Sequence, residues 1–385
     1  MSLTLSKLCK NTEKMYDLKL IAGTGGMENV VRWVHMVEDT EVPEFLHGDE
    51  LVFTTGIANY QENWLLNFVK NLQANNACGV VINIGPYIQT IPPKVIVYCE
   101  QNNFPIFTIP WETRIIDITY AFCRIIIADE KTEQSLTEAF KNLILDPQNT
   151  NGYQATLEKN GFSNLSNYTV MSLCVKSQEK DVTSKFVHNH STDLSKILKL
   201  NSQPKCILSW NKSLNIIYQN VHLNALEQLP QKLEMLDKSC EIHIGVSQTQ
   251  KEFCFIKELY KQAKFAQMVS EFKQENFYYY REIGVYKMLL NIDNIEVLKD
   301  FYFETLGKLI KYDETNNTDL YSSLKKYCEY NGSVFELASQ TGVHRNTINN
   351  KMRKIREVME KEIDYQTIME LMLCFHISQI INYKK

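Results

Sequence analysis

The sequence predicts a multidomain chain that passes from α/β through α+β to all-α. Three observations predict this. At 385 residues the chain is too long for one ordinary core. Strand-like and helix-like runs alternate through the first third, which implies an α/β layer with parallel pairing. From about Glu282 onward the apolar pattern has a helical period.

In the first third, Leu18–Ala22, Val30–Val37, Glu50–Thr55, Ala77–Ile84 and Phe104–Ile109 are predicted strands. They are β-branched or aromatic and bounded by Gly, Pro or Asn. Gln61–Asn75 and Pro93–Asn102 read as helices between the later strands. Two more helices follow at Ile115–Lys131 and Ser135–Leu145, and the polar stretch from Asp146 to Gly152 is the expected linker. In the middle third, Tyr168–Val175, Cys206–Trp210, Asn215–Gln219 and Glu241–Val246 read as strands, with helices at Leu223–Leu236 and Lys251–Phe272. This is an α+β, ferredoxin-like pattern. The remainder reads as helices at Tyr286–Leu290, Glu296–Lys311, Leu320–Tyr330, two short helices within 331–356, and Tyr365–Asn382.

With 44% hydrophobic and 22% charged residues the chain is globular rather than disordered. A net charge of −4 argues against general coating of nucleic acid. Ten cysteines are scattered from Cys9 to Cys374 without a C-x-x-C pair, the pattern of free thiols in a reducing cytoplasm. The first residues lack the apolar stretch of a signal peptide, and no apolar run reaches bilayer-spanning length. A soluble, cytoplasmic protein without membrane contact is expected.

Several tempting motifs lack their context. Gly23-Thr24-Gly25-Gly26 follows an apolar run, but a phosphate loop must open a helix and this one leads into a strand-like run. A strand-connecting turn is the better reading. His188, His190, Glu241 and His243 lack a third ligand placed by sequence, so surface or strand-face histidines are expected. No nucleophile-elbow, H-E-x-x-H or catalytic-cysteine signature occurs. No catalytic residue, metal site or cofactor is expected, and the chain does not read as an enzyme.

The most informative segment is 331–356. Val334, Leu337 and Ala338 form one apolar face of a first helix, and Gly342 supplies the positive φ of a sharp turn. Val343 is expected to pack inward. Ile348, Met352, Ile355 and Met359 then make a 4-3-4 apolar stripe on a second helix. Its other face carries Arg345, Asn346, Asn349, Asn350, Arg353 and Arg356. From His344 to Arg356 there are five Lys/Arg and no acid. One-signed charge with Arg and Asn suits phosphates and base edges. The plain alternative is a surface helix in a bundle. Helix start is expected at His344 or Arg345, with Thr341 or the turn satisfying its free N–H groups.

In the first domain the densest polar cluster is Trp33, His35, Glu38, Asp39, Thr40 and Glu41, with Thr54-Thr55-Gly56 at a predicted strand end. Ligand crevices of α/β sheets lie at strand carboxyl ends. A small-molecule pocket and simple turn capping both fit this cluster.

The blocks from Val31 to Asp39 and from Glu50 to Gly56, with Ile109-Pro110-Trp111, resemble the N-terminal domain of purine-catabolism-regulator (PucR) type bacterial transcriptional regulators. Leu306-Gly307-Lys308-Leu309-Ile310-Lys311-Tyr312-Asp313 is similar to the segment before that family's DNA-binding module, and Val343-His344-Arg345-Asn346-Thr347 to its centre. The resemblance implies an effector-sensing α/β domain at 1–130, a helical linker at 131–150, a degenerate GGDEF-like (diguanylate-cyclase-like) domain at 151–281, and a helical domain at 282–385 with its helix-turn-helix at about 318–360. Asn350 and Lys351 stand where the family has an aromatic and an arginine, which removes a bidentate fork. The hairpin residues from Asn211 to Asn215 lack the Gly-Gly and paired acids of a working cyclase.

The resulting expectation is a DNA-binding transcription regulator that senses a small metabolite. Double-stranded operator DNA, an unidentified small effector and a second copy of the chain are its expected partners. Arg345, Asn346 and Asn349 are expected at bases, Thr347 at a phosphate or a base, and Lys351, Arg353, Lys354 and Arg356 at phosphates, with Asn350 on the same DNA-binding surface. Trp33, His35, Glu38, Thr54, Thr55 and Gly56 are the expected effector site. The alternatives are a metabolite-binding enzyme, or a nucleotide sensor, whose helical C-terminus is a dimerisation bundle.

Overall fold

The computed structural model describes residues 3–10, 12–39, 46–57, 63–146, 151–178, 180–200 and 205–383. The chain divides into two compact units, Met1–Tyr279 and Tyr280–Lys385.

The first unit opens with short helices α1 (Leu5–Lys10) and α2 (Glu13–Tyr16), then strands β1 (Lys19–Ala22), β2 (Trp33–Met36) and β3 (Glu50–Thr54). Helix α3 (Trp64–Ala74), strand β4 (Gly79–Ile84), helix α4 (Pro93–Gln101) and strand β5 (Ile106–Pro110) complete a sheet in the order β1-β5-β4-β3-β2. Strands β2 to β5 pair in parallel and β1 closes the edge antiparallel. Every residue of β3 is buried, as expected of a parallel strand covered on both faces. Val52, Val80, Ile82 and Ile106 pack under Phe68, Leu72 and Val95 of α3 and α4. Leu51, Phe53, Val81 and Phe107 pack under Leu5, Leu8 and Phe122 on the other face.

Phe122 belongs to α5 (Ile115–Leu145), one continuous helix of 31 residues. The sequence reading divided it into two helices. The intervening Thr132, Glu133 and Gln134 include no Gly or Pro, so nothing breaks the hydrogen-bond ladder there. Ile118, Phe122 and Ile126 seal the first sheet, while Leu136, Phe140 and Leu143 enter the core of the second. Residues 147–150 of the expected linker lie outside the described residues, and α6 (Asn151–Lys159) follows.

The second sheet is built from β6 (Asn167–Ser177), the two-residue β7 (Lys180–Asp181), β8 (Lys205–Trp210), β9 (Ser213–Gln219), β10 (Glu241–Val246), the two-residue β11 (Gln250–Lys251) and β12 (Phe277–Tyr279). Its main order is β12-β10-β6-β9-β8. The four strands from β8 to β10 pair antiparallel in the ferredoxin-like order, and β12 adds in parallel beside β10. Helices α7 (Thr183–Asn189), α8 (Ser191–Ile197) and α9 (Leu229–Glu234) contribute Phe186, Leu194, Leu229 and Leu233 to one face. The opposite face is covered by α5 and α10 (Ile256–Lys273). The expected helix Leu223–Leu236 is shorter: Leu223–Ala225 is a 3-10 turn, and α9 starts beside Pro230, which a helix interior would not accept. Likewise α10 begins only at Ile256, because Gln250–Lys251 pairs with β6 and Glu252 turns at φ 72°.

The second unit is helical. After α11 (Tyr286–Leu289) come α12 (Ile295–Asn316), α13 (Leu320–Glu329), α14 (Val334–Thr341), α15 (Arg345–Met359) and α16 (Tyr365–Tyr383). One core joins Leu306 and Leu309 of α12 to Leu324, Leu337, Ile348, Met352, Ile355, Leu371 and Phe375. Thus α16 packs on the helix-turn-helix core.

One buried charge sits badly. Lys205 Nζ, at the start of β8, is buried without a hydrogen-bond partner among the described residues. Burial, with Lys199 and Lys7 adding like charge, lowers its pKa to about 8. The unfolded chain, near the free value of about 10.4, therefore binds this proton more tightly. The destabilisation is full below pH 8 and fades as pH rises toward 10. Lys205→Met should raise the unfolding midpoint at pH 7, by roughly 2–4 °C per kcal/mol recovered, and change it little at pH 10. Equal or lower stability of the variant at pH 7 would contradict the burial cost.

Candidate nucleic-acid interface and effector site

The helix-turn-helix is assembled by local capping. Ser333 caps α14 by accepting from the Glu336 N–H at 3.2 Å, the Ser-x-x-Glu start of a capping box. Gly342 adopts φ 67° and its N–H reaches the Ala338 carbonyl at 3.0 Å. No atom lies within 4 Å of an added Cβ, so conformation rather than space calls for glycine. His344 is the N-cap of α15, its Nδ1 accepting from the Asn346 N–H at 3.2 Å. Thr341 does not serve as cap; its hydroxyl donates back to the Leu337 carbonyl. Val343 is 40% exposed rather than packed inward, since the extended N-cap residue after it carries the chain straight into α15.

The apolar stripe of α15 is buried as expected, with Ile348, Met352, Ile355 and Met359 all in the core. At about 100° per residue, burying that stripe turns Asn346, Asn350 and Arg353 to the middle of the outer face. Arg345, Asn346, Thr347, Asn349, Asn350, Arg353 and Lys354 are all exposed. Their cations differ. Arg345 and Arg353 meet no acidic side chain among the described residues. Lys351 is turned onto Asp319 at 2.7 and 2.8 Å and onto Ser323 at 3.0 Å. Those bonds hold the Asp319 carboxyl below its ordinary pKa. Lys354 pairs with Glu357 at 3.2 Å over the Tyr312 ring, and half-buried Arg356 lies 3.5 Å from Glu362. As phosphate contacts, these three would first exchange a protein partner for the ligand.

Sequence reasoning missed what steadies this module. Asp313, at the end of the Leu306–Asp313 segment, accepts from the Leu320 and Tyr321 N–H groups at 3.0 and 2.7 Å. It satisfies the start of α13 from the preceding helix. An Asp shortly before a predicted helix start was the available signal.

In the first unit, Glu38 and the strand end Thr54-Thr55-Gly56 do come together. One Glu38 carboxylate oxygen accepts from the Thr55 N–H and hydroxyl at 2.9 and 2.8 Å. The other accepts from the Thr54 hydroxyl and the Gly56 N–H, both at 3.0 Å. The Thr55 and Gly56 N–H groups at this strand end are therefore already satisfied within the protein. Thr54 is fully buried. Trp33 is not close by: it pairs with Glu50 at the opposite end of β3, about 13 Å away at strand rise. It is 58% exposed and lines a cavity of about 390 Å³ with Ile126, Leu194 and Ile207. His35 is exposed on β2, and Thr40 and Glu41 lie outside the described residues.

Other candidates resolve as structure. An added Cβ at Gly23 would meet Phe104 O at 2.0 Å and one at Gly25 would meet Asn103 Oδ1 at 2.0 Å, so this turn is glycine-rich for close packing. The Gly23 N–H is held by Glu100. Buried His243 faces Ser270 and the Glu275 carbonyl rather than a ligand cluster. Among the described residues, no three His, Cys, Asp or Glu side chains group as a metal site, and no helix is long and apolar enough to cross a membrane.

These features define a class of chain: an α/β domain with a distinct helix-turn-helix module whose second helix is basic and acid-free over its outer face as far as Arg356. Residues 8–126 match the purine catabolism regulatory protein-like (PucR) family. Residues 320–377 match the PucR C-terminal helix-turn-helix domain. Curated relatives from Bacillus subtilis include a purine catabolism regulatory protein, 28% identical over 37% of this chain and 27% of that one. A proline-responsive transcriptional activator, PutR, is 26% identical over 34% of this chain and 33% of that one. The DNA-binding transcriptional activator AdeR is 22% identical over 37% of this chain and 33% of that one. The matched stretch thus spans a third or less of each relative. A crystal structure of a regulator of polyketide synthase expression from Bifidobacterium adolescentis aligns over 66% of this chain and 99% of that one, at 14% identity and a TM-score of 0.30. So weak a superposition carries no argument.

The Glu38 cluster yields a stability prediction. Glu38→Gln replaces one acceptor oxygen by an NH2 that faces N–H and O–H donors. It should cost about 1–3 kcal/mol in urea unfolding of the full chain, and Thr55→Val less, because it removes only one donor. A Gln variant as stable as the parent would show that the four bonds contribute nothing.

Proposed function

We propose that this chain is a sequence-specific, DNA-binding transcriptional regulator that responds to a small metabolite. The observation that carries this is the outer face of α15 from Arg345 to Arg356: Arg, Lys, Asn and Thr without an acid, opposite a buried apolar stripe. A recognition helix in the major groove reads bases near its N-terminus and meets phosphates further along. Arg345, Asn346, Thr347 and Asn349 are assigned to bases, with Asn350 in place of a family aromatic. Arg353 is the leading phosphate contact because its charge is unspent, and Lys351, Lys354 and Arg356 complete the set. The regulator and activator names of the relatives support the same reading.

The α/β domain is assigned to effector sensing. Glu38 and Thr54-Thr55-Gly56 form a rigid rim at the carboxyl ends of the parallel strands, where ligands of such sheets bind. Trp33 and His35 are assigned outside that rim. For the middle domain we propose a degenerate GGDEF-like relay rather than a cyclase. Its ferredoxin-like strand order supports the likeness, while the β8–β9 turn is only Asn211-Lys212, both at positive φ, with no acid to hold metal or phosphate. The chain is proposed to work in the cytoplasm, without a cofactor, as a homodimer or larger assembly.

Operator selection from random duplexes, followed by titration of variants over a salt series, tests the interface. Arg345→Ala should cost roughly 1–3 kcal/mol on the selected duplex and relax preference at one base. Arg353→Ala should weaken all duplexes alike and lower the salt slope by about one. If both variants bind like the parent, α15 is a bundle element and the reading fails.

A further inference from the structure

The outward face of α5 breaks the usual rule for a helix packed on a sheet. Its core side is Ile118, Phe122 and Ile126, so the opposite side should be polar. Instead Ile116 and Tyr120 are 72% and 65% exposed, and Ile127 is 45% exposed. With half-buried Cys123 they recur at 4-3-4 spacing, the seam of a helix pair. The stripe covers about 16 Å of axis. Beyond it the same face turns polar at Lys131, Gln134 and Glu138, so the apolar surface is confined to one patch.

We propose that this patch is a self-association surface, occupied by α5 of a second copy running antiparallel about a two-fold axis midway between Tyr120 and Cys123. That register sets Ile116 against the partner's Ile127. It also sets the bulky Tyr120 against the small Cys123 of the second copy, so large meets small on both sides of the axis. Charge selects the same arrangement. Asp117 and Arg124 are exposed on one flank of the stripe. Arg124 stacks over the Tyr120 ring at 5.9 Å and meets no acidic side chain among the described residues. An axis perpendicular to the helices keeps each flank on its own side. Asp117 of one copy therefore faces Arg124 of the other, twice, offset by about two residue rises (~3 Å) along the axis. In a parallel pair the two-fold runs along the helices and carries each flank to the opposite side, so Asp117 of one copy and Arg124 of the other would not meet. The inference stands apart from the DNA-binding reading and survives its failure.

A patch this short falls below the standard interface size, so association in the roughly micromolar range is expected. Sedimentation equilibrium of the full chain over about 1–100 μM reads it directly. The parent should approach twice its 44.9 kDa chain mass. Tyr120→Glu should keep the single-chain mass throughout, with a thermal midpoint that, unlike the parent's, does not rise with protein concentration. Asp117→Arg and Arg124→Asp should each weaken association about threefold to tenfold, from roughly 1 kcal/mol of exposed pairing, and together restore it. Should Tyr120→Glu fail to fold, the two charge reversals carry the test, since both lie on the surface. A parent that stays at single-chain mass overturns the proposal. So does a dimer that Tyr120→Glu leaves intact, or a double reversal that does not recover association.

Discussion

The constraint behind the functional reading is the burial of four side chains. Ile348, Met352, Ile355 and Met359 lock the rotation of α15 about its axis. Once they are in the core, Asn346, Asn350 and Arg353 have no orientation open to them except outward. Nothing about those polar residues needs to specify the interface; apolar packing aims them. The caps add precision at the ends. His344 fixes where α15 begins, Gly342 sets the angle of entry, and Asp313 ties α13 to the helix before it. If this face binds DNA as proposed, a surface aimed by core packing lowers the ordering cost of binding.

The first unit follows a different logic. Its two sheets share α5, whose early turns close one core and whose later turns close another. Rotation of α5 is therefore set twice, and its outward face is equally determined. Any change that shifts the helix on one sheet must be accommodated on the other. The Glu38 cluster sits at the far edge of the first sheet with its bonds satisfied internally, so it stiffens the strand ends.

Much of this was legible in the residues. Strands Glu50–Thr54 and Gly79–Ile84 announce themselves by unbroken β-branched and aromatic runs, because both faces are covered. The stripe of α15 and the positive-φ glycine before it were equally plain, since helical period and turn chemistry are local signals. Tertiary effects were less visible. A polar stretch in α5 resembled a break because periodicity cannot distinguish an exposed turn of helix from a linker. Pro230 divided an apparent helix at a point where the apolar pattern alone runs on. Trp33 and Glu38 are neighbours in sequence but lie at opposite ends of a strand, and only register separates them. The pairing of Lys351 with Asp319 spans 32 residues, and no spacing rule reports it.

The central claim is that the outer face of α15 enters a major groove. Dimethyl sulfate probing of a selected duplex tests it most directly, because that reagent reports access to guanine N7, which lies in the major groove. The account predicts protection of guanine N7 within the bound site, lost at one position when Arg345→Ala replaces the parent. Full N7 reactivity across a site that the protein otherwise shields would contradict it.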